Sequence, residues 1–142
     1  MTQLTANQRT MHAIAAALAE EYRMGEEAAR QGDVPLAWHH LGRAHILAQT
    51  RLGPHCVSHR RMLAFAVQLR DWPEAAGQLL RLALAPLGNL TGRLPIGNTG
   101  RSTVSAFTAM DIPSDLRAII DRTPDWLFTA RPCATVPTKD LM

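Results

Sequence analysis

Apolar side chains recur along the first ninety residues at steps of three and four, the spacing of one face of an α-helix. The first such stripe consists of Ile14, Leu18, Tyr22, Gly25 and Ala29. Glycine and proline together interrupt the pattern at two points, and proline alone does so at Pro73. Glycine typically ends a helix and proline begins the next one. The pattern predicts helices over residues 8–31, 34–50, 54–69 and 73–85.

The remainder of the chain shows weaker periodicity. Glycines and prolines crowd together from residue 86 to residue 112, which predicts an irregular segment. Ser114 is an expected N-cap for a short helix from Asp115 to about Arg122. We therefore predict one helical domain over residues 1–122, followed by an extended or disordered tail over residues 123–142.

The predicted turns and the helices after them repeat. The segment that begins at Asp33 aligns with the one that begins at Asp71, an offset of 38 residues, and Asp, Pro, Ala, Leu and Arg recur in both. Tetratricopeptide repeats, which are helix hairpins, have a period of about 34 residues. The predicted fold is all-α, with two antiparallel helix hairpins in a tetratricopeptide-like four-helix array, a Gly/Pro-rich loop and a short C-terminal helix.

Composition narrows the classes of function. No apolar run approaches the length of a membrane helix and no signal-peptide pattern begins the chain, so we expect a cytoplasmic protein without a membrane partner. The net charge of +3 comes from scattered arginines, which argues against a nucleic-acid partner. Cys56 and Cys133 form neither a disulfide framework nor a paired zinc-thiolate motif.

Three of the six histidines lie on inward stripes. His55 and His59 are four residues apart and share one helix face, an arrangement that can offer two imidazoles to one metal ion. Residues equidistant from a hairpin turn lie at the same height, which sets His45 opposite His59 across one turn and opposite Glu21 across the other. The predicted metal ligands are therefore Glu21, His45, His55 and His59.

Two further residues are candidate additional ligands. His40 points about 140° away from His45 on the same helix, and Cys56 lies beside His55 but off its face. His39 is expected to be exposed. A hydrogen-bonded network of Glu21 with the histidines, without metal, is the alternative interpretation of all these positions.

Nitrogen and oxygen ligands favour zinc, with nickel, cobalt, copper and iron as alternatives. Four protein ligands would make a closed site for structure or storage. Three protein ligands and a water molecule would make an open site that can support chemistry.

The loop residues Gly97, Asn98, Thr99 and Gly100 form a second candidate feature. They could cover an open metal position or present backbone amides to an anion, although the lysine of a phosphate-binding loop is absent. The alternative is a tight connector in which the glycines supply positive φ angles.

Four segments together resemble a family of small uncharacterised bacterial proteins: residues 44–49 (Ala-His-Ile-Leu-Ala-Gln), the His55/His59 pair, residues 78–81 and residues 95–100 (Pro-Ile-Gly-Asn-Thr-Gly). In that family a Glu in the first helix, an Arg-Ala-His-Ile-Leu-Gly-Gln segment, a His-x-x-x-His pair and a Pro-Ile-Gly-Asn-Thr-Gly loop recur. The similarity spans roughly residues 15–121. It implies metal handling through the same four ligand positions.

These observations predict a metal-binding cytoplasmic helical protein for sequestration, delivery or sensing. One alternative is a tetratricopeptide-like scaffold that binds a protein partner and whose histidines are structural. The other is a small metalloenzyme with three histidines and Glu21 around an open metal position. The sequence leaves the substrate and the oligomeric state open.

Overall fold

The computed structural model describes residues 5–121 and contains five helices and no strand over that range. The helices are α1 (Ala6–Arg30), α2 (Val34–Ala48), α3 (Leu52–Gln68), α4 (Trp72–Thr91) and α5 (Ser114–Ile120). Helix α1 packs on α2 and α3 packs on α4, while α2 and α3 join the two hairpins and α5 lies against α1 and α2. The predicted all-α fold with two helix hairpins is confirmed. The predicted tail lies outside the described residues.

The two hairpin turns have the same construction. Gly32 and Arg70 occupy equivalent positions and both adopt left-handed backbone angles, with φ of +77° and +57°. Asp33 and Asp71 follow them as N-caps, and each carboxylate accepts from the backbone amide three residues ahead. Each aspartate also donates its own amide, at 2.9 Å, to the carbonyl five residues behind. The 38-residue offset in the sequence is therefore matched by a repeated turn geometry.

The predicted end of the fourth helix at residue 85 is wrong. Helix α4 continues through Pro86 to Thr91 and ends at Gly92, whose φ of +66° makes it a left-handed C-cap. Proline removes one backbone donor from the helix, but beyond it Asn89 of α4 still hydrogen-bonds to His55 of α3 at 2.8 Å. The irregular segment is accordingly residues 92–113.

The predicted N-cap of the short helix is also displaced by one position. Helix α5 begins at Ser114 itself, Pro113 occupies the N-cap position, and no side chain caps this end. Leu116 anchors the helix because it is almost completely buried against Ile46 and Leu47 of α2.

The core lies where α1, α2, α3 and α4 meet. Ala37, Ala44, Met62 and Ala66 have no exposed surface, and the small alanines allow close approach of the neighbouring helices. The segment of residues 92–113 covers one side of this core and is held mainly by polar contacts to α2 and α4. Over the described residues, no helix is both long and apolar enough to cross a bilayer.

Candidate metal centre

Three imidazole rings converge between α2, α3 and the irregular segment. The Nε2 atom of His45 lies 3.1 Å from that of His55 and 3.2 Å from that of His59, and the last two are 3.2 Å apart. All three residues are at most 5% exposed. Within residues 5–121 they are the one set of His, Cys, Asp or Glu side chains whose ligand atoms cluster closely enough for a metal ion.

A backbone carbonyl fixes the proton position on His45. Its Nδ1 lies 2.8 Å from the carbonyl oxygen of Asn98, which can only accept a hydrogen bond. Nδ1 of His45 therefore carries the hydrogen and donates it to Asn98. In the neutral ring, Nε2 consequently presents a lone pair to the other two histidines.

The tautomer of His59 is fixed through Gln78. The side-chain nitrogen of Gln78 donates to the Glu74 carboxylate at 2.7 Å and to the Gly100 carbonyl at 2.9 Å, and both of these groups only accept. This leaves Oε1 of Gln78 to face Nδ1 of His59 at 2.8 Å. His59 must therefore donate from Nδ1 and present a lone pair at Nε2.

The same logic applies to His55 and Asn89. Nδ2 of Asn89 donates to the backbone carbonyl of Gln49 at 3.2 Å, so its Oδ1 faces Nδ1 of His55 at 2.8 Å. His55 then also presents its lone pair at Nε2. Three lone pairs point at one another at close range, which is electrostatically unfavourable unless a cation lies among them.

Burial disfavours protonation of the three imidazoles, so a proton does not readily serve as that cation. Desolvation is the largest influence on all three rings: it lowers the pKa of His45 well below its ordinary value, lowers the pKa of His55, and brings that of His59 to about 4. The neighbouring imidazoles lower the pKa of His45 further. Near neutral pH the rings are neutral, which is the protonation state that a metal requires.

The spacing of the nitrogens fits a tetrahedral metal ion. The three Nε2 atoms form a triangle with sides of 3.1–3.2 Å. An ion bound at about 2.0–2.1 Å from each nitrogen would lie about 0.9 Å outside the plane of this triangle, with N–metal–N angles of about 100°. Such an arrangement leaves the fourth vertex free of these three ligands. All three histidines also line a cavity of about 480 Å³.

Glycine is required at Gly100 because the backbone passes directly over the His45 ring. A Cβ added at Gly100 would lie 2.8 Å from the Cγ and Cδ2 atoms of His45, and φ is +78°. Gly97 is similarly constrained, with φ of +80° and the Met110 carbonyl oxygen at 1.9 Å from an added Cβ. The predicted positive φ angles of the two glycines are confirmed.

Hydrogen bonds within the loop and to Gln49 hold the segment of Gly97, Asn98, Thr99 and Gly100 in place. The amide of Gly97 donates to the side chain of Gln49 at 3.1 Å, and the amide of Gly100 donates to the side chain of Asn98 at 2.9 Å. Thr99 lies close to α2, since a Cβ added at Gly42 would be 3.4 Å from the Cβ of Thr99. These two glycine amides are therefore engaged within the protein, and the Asn98 carbonyl supports His45 as described above.

The structure places Glu21 apart from the three histidines. Its carboxylate lies 2.8 Å from Nδ1 of His40 and 2.7 Å from Nε of Arg43, and Arg43 also contacts Asp115 at 2.5 Å. The hairpin register predicted Glu21 opposite His45, but its partners His40 and Arg43 lie earlier on α2. His40 also points about 140° away from His45 around that helix. Glu21 and His40 thus join α1 to α2 instead of completing the histidine cluster.

The remaining candidate ligand, Cys56, also lies outside the cluster. Cys56 is a half-buried free thiol and is not among the residues whose ligand atoms converge. His39 is exposed, as expected.

Sequence reasoning missed the amides that orient the histidines. Gln78 is completely buried, and Glu74 lies one helical turn before it at 2% exposure, so two polar residues interrupt the inner face of α4. Buried polar residues on an otherwise apolar helix face indicate a hydrogen-bonded network, and this was the sequence signal that could have identified Gln78. Asn89 was missed because the predicted helix ended before it.

Comparison with known proteins places the chain in a family. No curated protein and no solved structure is significantly similar to it. A family profile matches residues 12–120, a span that includes the three histidines and the amides that orient them. The chain belongs to the protein family of unknown function DUF3703.

Proposed function

We propose that this protein binds one divalent transition metal ion through Nε2 of His45, His55 and His59, with the fourth position open to an exchangeable ligand. The observation that supports this best is the fixed tautomer of all three rings. Each Nδ1 donates to an oxygen that cannot act as donor, so each Nε2 is free to coordinate. Three imidazoles in this geometry suit zinc first, with nickel, cobalt, copper and iron as alternatives.

The ligand set omits Glu21, because Arg43 and His40 already engage its carboxylate. It also omits Cys56 and His40, which lie outside the cluster. The hydrogen bonds that orient the ligands come instead from Asn98, Asn89 and Gln78, as is usual for histidines that bind metal.

Metal handling in the cytoplasm (sequestration, delivery or sensing) is the function we favour. None of the described residues that line the cavity is a carboxylate, so no general base lies beside the open position. The cavity beside the three histidines nevertheless supports a metalloenzyme as the second candidate, since a metal-bound water is acidified without a protein base. A scaffold for a protein partner stays a prediction.

Elemental analysis of protein purified without a histidine tag tests the proposal. We expect one zinc or related ion per chain, and we expect His45→Ala to lose it because two imidazoles bind much more weakly than three. His39→Ala is the matched control, since His39 is exposed and should leave the stoichiometry unchanged. Circular dichroism establishes that each variant is folded, and His55→Gln supplies a second test. Full metal content in both His45→Ala and His55→Gln would overturn the proposal.

A further inference from the structure

The cavity beside the histidines has the size of a small-molecule site. Its volume is about 480 Å³, and ligand pockets in proteins measure about 300–1,000 Å³. The three histidines lie on its buried side. Phe107, which is 84% exposed, and Arg93, which is also exposed, line it as well, so the cavity reaches solvent at these two residues.

The walls between the histidines and the opening are largely apolar. They include Leu84, Leu87, Leu94, Pro95, Ala106 and Phe107. Water gains few hydrogen bonds from such walls, and a hydrocarbon body would gain free energy by displacing it. The shape and the chemistry of the cavity therefore favour an organic ligand over water alone.

The charge around the cavity favours an anion. A divalent ion held by three neutral imidazoles keeps both of its positive charges, and Arg81, at 8% exposure, adds another cation to the wall. The nearby buried carboxylate of Glu74 is already engaged by Ser102 and Arg101. An anionic group on the metal would compensate charge that no described carboxylate in the cavity wall balances.

From this arrangement we infer that the site accepts a carboxylate with an apolar chain or ring. Its head group takes the fourth metal position, and its body lies along Leu84, Leu87 and Leu94. The inference rests on the proposed metal site and adds the chemical class of the ligand. It also accounts for the cavity, because a site that bound only a metal ion would not need so large a space.

Octanoate added to the cobalt(II)-substituted protein tests the inference, because the visible d–d absorption of cobalt(II) responds to the fourth ligand. Cobalt content is measured first on the same sample. We expect octanoate to change the spectrum saturably and to bind at least about a hundredfold more tightly than acetate, since each buried methylene adds to the affinity. Octanol, which has the chain without the charge, should leave the spectrum unchanged.

Filling the cavity supplies the matched variant. Ala106→Trp should weaken octanoate binding at least about tenfold and leave the cobalt content unchanged, since Ala106 lines the cavity but contacts no histidine in the hydrogen-bond network. Ala64→Trp, at an exposed position of α3 that does not line the cavity, should have no effect.

The outcomes separate the two proposals. A chain that binds cobalt but shows no spectral response to octanoate overturns this inference alone. Equal affinities for acetate and octanoate, or an unchanged affinity in Ala106→Trp, would do the same, because the apolar walls would then be irrelevant. A chain that binds no cobalt overturns the metal site and this inference together.

Discussion

At the scale of single residues, the geometry of the three histidines depends on groups outside the histidine cluster. Asn89, Gln78 and the carbonyl of Asn98 each hold one imidazole by its Nδ1 hydrogen. Each of these oxygens is oriented in turn by further contacts, such as the bond from Gln78 to Glu74. The histidines are therefore held in one geometry without an ion, and on the proposed function this would reduce the entropy lost on metal binding.

Replacing Asn89 should weaken the site without removing a ligand. Asn89→Ala deletes the acceptor that fixes the His55 ring, and the loss of such a partner typically lowers metal affinity about 10- to 100-fold. Asn89→Asp is the matched control, because a carboxylate oxygen can still accept from Nδ1 of His55. Competition with a chromophoric zinc chelator measures both affinities. Equal weakening in the two variants would mean that Asn89 acts through its bond to Gln49 instead.

Gly100→Ala should damage both stability and metal binding. The new Cβ would meet the His45 ring at 2.8 Å, and the residue would also keep an unfavourable positive φ. Gly92→Ala has the same backbone penalty with nothing within 4 Å of its Cβ. We expect each substitution to cost about 1–2 kcal/mol of backbone strain, and only Gly100→Ala to reduce zinc affinity as well. Reduced affinity in both variants would contradict the steric explanation.

At the scale of elements, the turn chemistry of the two hairpins accounts for their similar geometry. A left-handed residue ends the first helix of each hairpin, and an aspartate caps the second. The left-handed position is occupied by Gly32 in one turn and by Arg70 in the other. Glycine accepts this conformation readily, whereas arginine bears a steric cost there.

Exchanging residue types at this position should therefore have opposite effects in the two turns. Arg70→Gly should raise the free energy of unfolding by a few tenths to about 1 kcal/mol, since Arg70 is exposed and loses only its strain. Gly32→Ala should lower it by about 1 kcal/mol, with open space around the new Cβ. Urea denaturation measures both. A stability loss in Arg70→Gly would show that the arginine side chain contributes more than its backbone costs.

At the scale of the whole molecule, the proposed metal binding should be coupled to folding. The three ligands come from two helices in different hairpins, and the irregular segment supplies one of the supporting carbonyls. The unfolded chain cannot present them together. Bound metal should therefore stabilise the fold by RT ln(1 + [L]/Kd), about 2.7 kcal/mol at one hundred times Kd.

The metal-free protein should lose stability as the pH falls. The pKa of His59 is about 4 in the folded state, against an ordinary value of about 6.5 in the unfolded chain. Between these values the unfolded state binds protons that the folded state excludes, so unfolding becomes more favourable from about pH 6.5 down to about pH 4. The pKa values of His45 and His55 are shifted in the same direction and add to the effect.

Thermal melts from pH 7.5 to pH 5 with a chelator present measure this dependence. We expect a falling melting temperature in the parent and a shallower fall in His59→Gln, which has no group to protonate there. His39→Ala, at an exposed position, should behave like the parent. Melts of metal-loaded protein should exceed the chelated ones at pH 7.5 and approach them at pH 5, because protons compete with the ion. A flat metal-free profile would contradict the buried neutral histidines.

The sequence by itself determined the helices, the turns and the meeting of His45 with His55 and His59. These features depend on local properties: helix periodicity, Gly and Pro at the turns, and the spacing of four between two histidines. Local properties can be predicted from the sequence alone. The continuation of α4 beyond Pro86 could not be predicted from the sequence, because tertiary packing there outweighs the local free-energy cost of proline.

Only the tertiary structure decided which groups surround the histidines. Hairpin register gives only the approximate height of a residue and not its direction around the helix. Glu21 was therefore expected at His45 and lies instead at His40 and Arg43. The carbonyl oxygen of Asn98 contacts His45, which lies 53 residues earlier in the chain. Helix periodicity cannot predict a contact at that separation. Orientation of the ligands, and the cavity beside them, are products of long-range packing.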